Sequence, residues 1–111
     1  GKPRDREQAA EMLRRLSGRQ HTVYTGVTLC RGGRFVTEHE ATQVQFRPLT
    51  DGEIAAYVAT NEPMDKAGSY GIQGRGAVLV SGIRGDYFNV MGLPVLRLSR
   101  ILEQFGVTFF A

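Results

Sequence analysis

Apolar residues recur at helical spacing near the start of the chain and then give way to alternation. Ala9, Met12, Leu13 and Leu16 share one helical face, Asp5 and Gln8 have capping-box spacing, and Gly18 supplies a stop. From His21 to Leu29 the segment is rich in β-branched residues, with Val23, Thr25, Val27 and Leu29 on one face, which predicts a strand. Gly32-Gly33 then predicts a turn into a return strand through Thr42, Val44 and Phe46. The polar stretch from Thr37 to Glu40 leaves the length of this hairpin open.

Thr50 and Glu53 repeat the capping-box spacing ahead of Ile54, Tyr57 and Val58, and Pro63 prevents this second helix from continuing far beyond Glu62. Met64 to Gly76 is glycine-rich and lacks a period, so an ordered loop is expected, and loops are where function concentrates. Ala77 to Ile83 is apolar at most positions and predicts a strand needing cover on both faces. Gly85-Asp86 opens a turn, with Tyr87 and Phe88 expected to pack on the core and Asn89 to be structural. A third helix follows from Leu98, Ile101, Leu102 and Phe105, with Gly106 as its stop. The fold class is therefore mixed α/β or α+β: a mixed sheet with a hairpin and flanking helices, without an internal repeat.

A length of 111 residues fits one small domain or one lobe of a larger one. Hydrophobic residues make up 41% and charged residues 23%, which excludes a disordered chain. The net charge of +3 comes from basic residues interleaved with acidic ones, as in Asp5-Arg6-Glu7, so no nucleic-acid arm is expected. Cys30 is the sole cysteine, which rules out an internal disulfide and a cysteine-rich zinc site and suits a reducing cytoplasm; its expected place is a half-buried strand end. No run approaches the roughly 18–20 apolar residues of a membrane span, so no membrane partner is expected. His21 and His39 lack a ligand spacing, and no metal ligand is assigned within the chain.

The loop Glu62-Pro63-Met64-Asp65-Lys66-Ala67-Gly68-Ser69-Tyr70-Gly71-Ile72-Gln73-Gly74 closely resembles the DKAGxYxIQG signature of the Maf-like nucleoside triphosphate pyrophosphatases. Gly1-Lys2-Pro3 resembles the family's GKP turn, and Leu16-Ser17-Gly18, His21, Val23, Thr25-Gly26-Val27 and Gly85 to Pro94 match further segments in the family's order. The resemblance implies a Maf/ITPase-like fold and covers essentially the whole chain. Full-length members also carry an SxSPRR-type segment and an ADTxV motif with the catalytic aspartate, neither of which occurs here. Residues 1–111 are thus expected to be the C-terminal portion of a single Maf-like domain lacking its N-terminal half, with no catalytic residue of its own and no activity alone.

A triphosphate needs positive groups and, in this reaction type, a divalent metal. Lys2 and Lys66 are the candidates for the phosphates, Asp65 for orienting Lys66 or assisting metal and water placement, and Gln73 for the base. Ordinary solvated surface is the competing role for the lysines, and a turn or cap for Asp65. A primary amide donates and accepts, which suits a uracil or thymine edge. The resemblance agrees, since Gln in the IQG triplet marks the dTTP and UTP branch, while the 7-methyl-GTP branch typically carries Glu. Gly68, Gly71, Gly74 and Gly76 permit close backbone approach but match neither a P-loop nor a dinucleotide fingerprint, and turns alone would account for them. The expected activity of the parent is hydrolysis of dTTP or UTP to the monophosphate and pyrophosphate with magnesium or manganese, in a cytoplasmic homodimer. The alternatives are a noncatalytic nucleotide-binding or dimerisation fragment and the 7-methyl-GTP branch.

Overall fold

A computed structural model describes residues 1–110. Seven regular elements run in the order α1 (Arg6–Leu16), β1 (Gln20–Arg31), β2 (Arg34–Phe46), α2 (Asp51–Ala59), β3 (Val80–Arg84), α3 (Tyr87–Met91) and α4 (Val95–Gln104). Three short 3₁₀ turns, Glu62–Asp65, Ala67–Ser69 and Gly74–Leu79, lie between α2 and β3. The strands form one sheet in the order β1-β2-β3, which agrees with the mixed helix and sheet class read from the pattern.

The chain divides into two compact units: Gly1–His21 with Val44–Ile83, and Thr22–Gln43 with the described residues from Arg84. In the first unit α1 packs on α2 and on the 3₁₀ turns Glu62–Asp65 and Ala67–Ser69. Asp5 caps α1 by accepting from the Gln8 N–H at 2.7 Å. Gly18 ends it at φ +66°, a conformation that favours glycine. At α2 the capping box is complete, because Thr50 Oγ1 accepts the Glu53 N–H at 3.1 Å and Glu53 Oε1 accepts the Thr50 N–H at 3.0 Å. The Asp5 cap and the α2 box match the sequence reading, whereas Gln8 Oε1 accepts the Arg4 N–H and does not close a second box. Ala9, Leu13, Val44, Phe46, Ile54, Tyr57, Val58, Ile72 and Leu79 are buried in this unit.

In the second unit the central buried group is Asn89, whose amide donates to the Val23 and Glu40 carbonyls and to Thr42 Oγ1 at 3.0–3.3 Å. That network accounts for its structural role. Arg97 on α4 bridges Glu38 at 2.6 Å and Glu40 at 2.7 Å, which explains how the polar stretch from Thr37 to Glu40 remains within β2. Along β1 Val23, Thr25, Val27 and Leu29 are the more buried set, as the alternation predicts.

Three expectations are overturned. The apolar run from Ala77 is not one buried strand: Gly74–Leu79 is a 3₁₀ turn and only Val80–Arg84 is strand, at the sheet edge. Arg47 draws the chain into this path, its N–H donating to the Leu79 carbonyl at 3.0 Å and its Nε to the Val78 carbonyl at 2.7 Å. Leu79 is buried but Val78 is 68% exposed, so cover on both faces is not needed. Tyr87 and Phe88 are exposed because the Asp86 cap turns them into α3, a helix the pattern did not mark. Cys30 is exposed where half-burial was expected, because it lies on the polar side of the β1 alternation.

Candidate functional site

The glycine-rich segment after α2 lies wholly in the first unit and owes its order to three anchors. The first is aromatic. Tyr70 sits against Phe46 and His21 in edge-on contacts with ring centroids 4.8 Å and 5.4 Å away, and its hydroxyl is 2.7 Å from His21 Nε2. Burial pushes the Tyr70 phenol up to about 12, with Tyr57 adding to the shift, and burial pushes the His21 pKa down. Both rings are therefore neutral near pH 7, and they act as structural anchors.

The second anchor is Ser69, fully buried at φ +69°, whose hydroxyl donates to Met12 Sδ on α1 at 3.1 Å. The third lies at the far end of the segment. Tyr57 on α2 accepts the Gly71 N–H at 3.1 Å, and Glu62 accepts the Arg75 N–H at 3.2 Å and, more distantly, the Gly76 N–H at 3.5 Å. Gly76 is pressed so closely on Gly71 that an added Cβ would fall 2.1 Å from the Gly71 carbonyl oxygen. The glycine there is obligatory for close backbone approach.

These anchors leave the residues singled out from sequence on the outside. Lys2, Asp65, Lys66 and Gln73 are all exposed. The segment carrying Lys2 is tied to the loop, since the Gly68 N–H donates to the Gly1 carbonyl at 3.3 Å, and Pro3 is buried. Lys2 is thereby brought to the loop that holds Asp65 and Lys66. Lys66 lies along Gly71, its Cε 3.3 Å from where a Cβ would stand. Gln73 precedes the 3₁₀ turn at Gly74, on the same loop and between the pinched positions Gly71 and Gly76. Asp65 closes the first 3₁₀ turn, Glu62–Asp65, and among the described residues no hydrogen bond joins its carboxylate to Lys66.

Tyr57 and Glu62 are the residues that sequence reasoning passed over. Tyr57 reads as an ordinary apolar position on a helical face, and Glu62 as a solvated helix end. The spacing of Gly71, Gly74 and Gly76 signals a close approach without saying which side chain approaches. Among the described residues no group of three or more His, Cys, Asp or Glu is placed to hold a metal ion, and no helix is long and apolar enough to cross a membrane. In the second unit an apolar groove of about 830 Å³ is lined by Phe88, Val95, Leu96, Phe109 and Phe110 among others.

The family model described as Maf-like protein matches residues 1–105. A Moorella thermoacetica protein named dTTP/UTP pyrophosphatase is 60% identical over 110 residues, covering 96% of this chain and 56% of the relative. Relatives with the same name from Symbiobacterium thermophilum and Bacillus cytotoxicus are 56% and 57% identical, covering 99% and 95% of this chain and 57% and 55% of their own lengths. The chain thus spans a little over half the length of the curated relatives it matches.

Proposed function

This chain belongs to the Maf-like protein family, and on that premise we propose that it forms part of a nucleoside triphosphate pyrophosphatase acting on dTTP and UTP. Water attacks the α-phosphorus, the bond to the bridging oxygen breaks, and the products are the nucleoside monophosphate and pyrophosphate. The observation that carries this reading is the hydrogen bond from the Gly68 N–H to the Gly1 carbonyl, which puts the Lys2 segment against the Asp65-Lys66 loop. Two flexible ammonium groups with no other partner among the described residues suit a triphosphate. Gln73, exposed on the same loop, offers its carbonyl to the N3–H and its amide N–H to O4 of a uracil or thymine ring. Asp65 orients Lys66 once phosphate is bound. The name dTTP/UTP pyrophosphatase carried by the relatives, at 56–60% identity, supports the same substrates.

Magnesium or manganese belongs to the proposal for the whole protein, where it would neutralise phosphate charge. The described residues supply no ligand cluster that fits such an ion by themselves, and no step here runs through one. The 111 residues are proposed to be the C-terminal portion of a single Maf-like domain in a cytoplasmic homodimer, and the exposed Phe88, Leu96, Phe109 and Phe110 favour association. Gln73→Glu in the full-length protein tests base recognition. It is expected to lower kcat/KM on dTTP and UTP about tenfold or more, as loss of a hydrogen bond to the base would, while the melting temperature stays within about 2 °C. Unchanged pyrimidine preference would remove Gln73 from that role.

A further inference from the structure

Glu62 occupies the concave side of the turn that carries Gln73. Its two carboxylate oxygens take the Arg75 and Gly76 N–H groups at 3.2 Å and 3.5 Å. Oε1 also stands 2.8 Å from where a Cβ on Gly74 would be, and 3.2 Å from one on Gly71. The carboxylate thus fills space that side chains at those positions would need. At the other end the Tyr57 hydroxyl takes the Gly71 N–H and lies 2.7 Å from a Cβ built on Gly76.

We propose that Glu62, seconded by Tyr57, is a positioning residue that fixes the 71–76 turn and so sets where Gln73 meets the pyrimidine; this rests on the pyrophosphatase reading above. A glutamine amide can rotate to present donor and acceptor in either order, so its selectivity depends on how tightly its backbone is held. Gln73 has no side-chain partner of its own among the described residues to hold it. The turn holds it instead, through Tyr57 from the buried face of α2 and Glu62 from the 3₁₀ turn that follows. A merely solvated glutamate would face water, whereas this one is half-buried and bonded to backbone N–H groups.

The test uses the full-length protein and Glu62→Gln, which keeps the shape but turns an amide donor toward an N–H group. The ratio of kcat/KM for UTP over CTP is expected to fall about tenfold, the size expected for one lost charge-assisted hydrogen bond, chiefly through a higher KM for UTP. Gln73→Ala should lower the same ratio, and the double variant no further. Amide hydrogen exchange at Arg75 and Gly76 should quicken about tenfold with α1 and α2 unchanged. Glu62→Asp should recover part of each readout, and if Glu62→Gln does not fold, faster exchange at these amides in Glu62→Asp decides for the clamp. An equal loss on every nucleotide, or unchanged exchange at Arg75 and Gly76, overturns the positioning role. A Gln73→Ala protein that keeps its UTP preference instead sinks the base-reading premise, and the exchange result then decides the clamp alone.

Discussion

The Glu53 carboxylate is held by two donors at once, which makes its ionisation part of the fold. Arg47 Nη2 lies 2.8 Å from one carboxylate oxygen and the Thr50 N–H 3.0 Å from the other. The Arg47 hydrogen bond, then that of the Thr50 backbone, bring its pKa down from 4.5 to about 2. Since the folded value is the lower, the contribution of this carboxylate is complete above pH about 4.5 and is lost as pH falls toward about 2. An NMR titration of the Glu53 side-chain carbon should show that low midpoint, and Glu53→Gln should flatten the acid limb of stability between those values. A midpoint near 4.5 would mean that the Arg47 pair does not persist in solution. Such caps are legible in sequence because one residue type at a fixed spacing satisfies known orphan donors. Glu62 makes the same kind of bond to backbone N–H groups, but across a turn with no fixed spacing, and was therefore not legible. Lys2, Asp65, Lys66 and Gln73 were legible only through resemblance, because exposed polar residues without partners carry no local signature.

Among the elements, those with a long period were read well and those without one were not. α1 and α2 have faces of three or four apolar residues and real caps, and β1 alternates from Val23 to Cys30, so pattern and burial coincide there. The 3₁₀ turns between Glu62 and Leu79 are too short to show a period, and the apolar run from Ala77 disguises the last of them as strand. What determines that region is backbone contact, and glycine substitution separates contact from strain. At Gly76 an added Cβ meets the Gly71 carbonyl oxygen at 2.1 Å, a backbone atom that no rotamer can move. At Gly32 nothing lies within 4 Å, and only the φ of +57° opposes a side chain. Gly76→Ala in the full-length protein should therefore cost about 1–3 kcal/mol, the range for overpacking, whereas Gly32→Ala should cost about 1–2 kcal/mol from left-handed backbone strain. Chemical denaturation gives both numbers, and exchange at Gly71 and Arg75 should rise only in Gly76→Ala. Equal exchange in the two variants would show that the turn does not depend on the close approach.

At the scale of the whole chain, the family and the fold class were legible from motif order and element pattern, while the distribution of burial was not. The first unit buries nine aliphatic and aromatic side chains, together with Pro3 and Pro63. In the second unit Ile101 and Pro94 are the apolar side chains among the described residues that reach full burial, and order comes mainly from Asn89 and the Arg97 bridges. Hydrogen bonds and partly exposed ion pairs stabilise less than a packed core, since water competes for each of them. Phe88, Leu96, Phe109 and Phe110 meanwhile leave apolar surface in solvent, which favours association. Residues 1–111 expressed alone should accordingly self-associate, and amides of α3 and α4 should exchange faster than those of α1 and α2. They should also release no UMP or pyrophosphate from UTP with magnesium, because the roles proposed for Lys2, Lys66 and Gln73 are to bind and orient, and none of them would activate water. Light scattering, exchange mass spectrometry and a pyrophosphate assay on mass-verified material check the three expectations separately. A sharp monomeric melt would overturn the first, equal protection of the four helices the second, and metal-dependent UMP release the third.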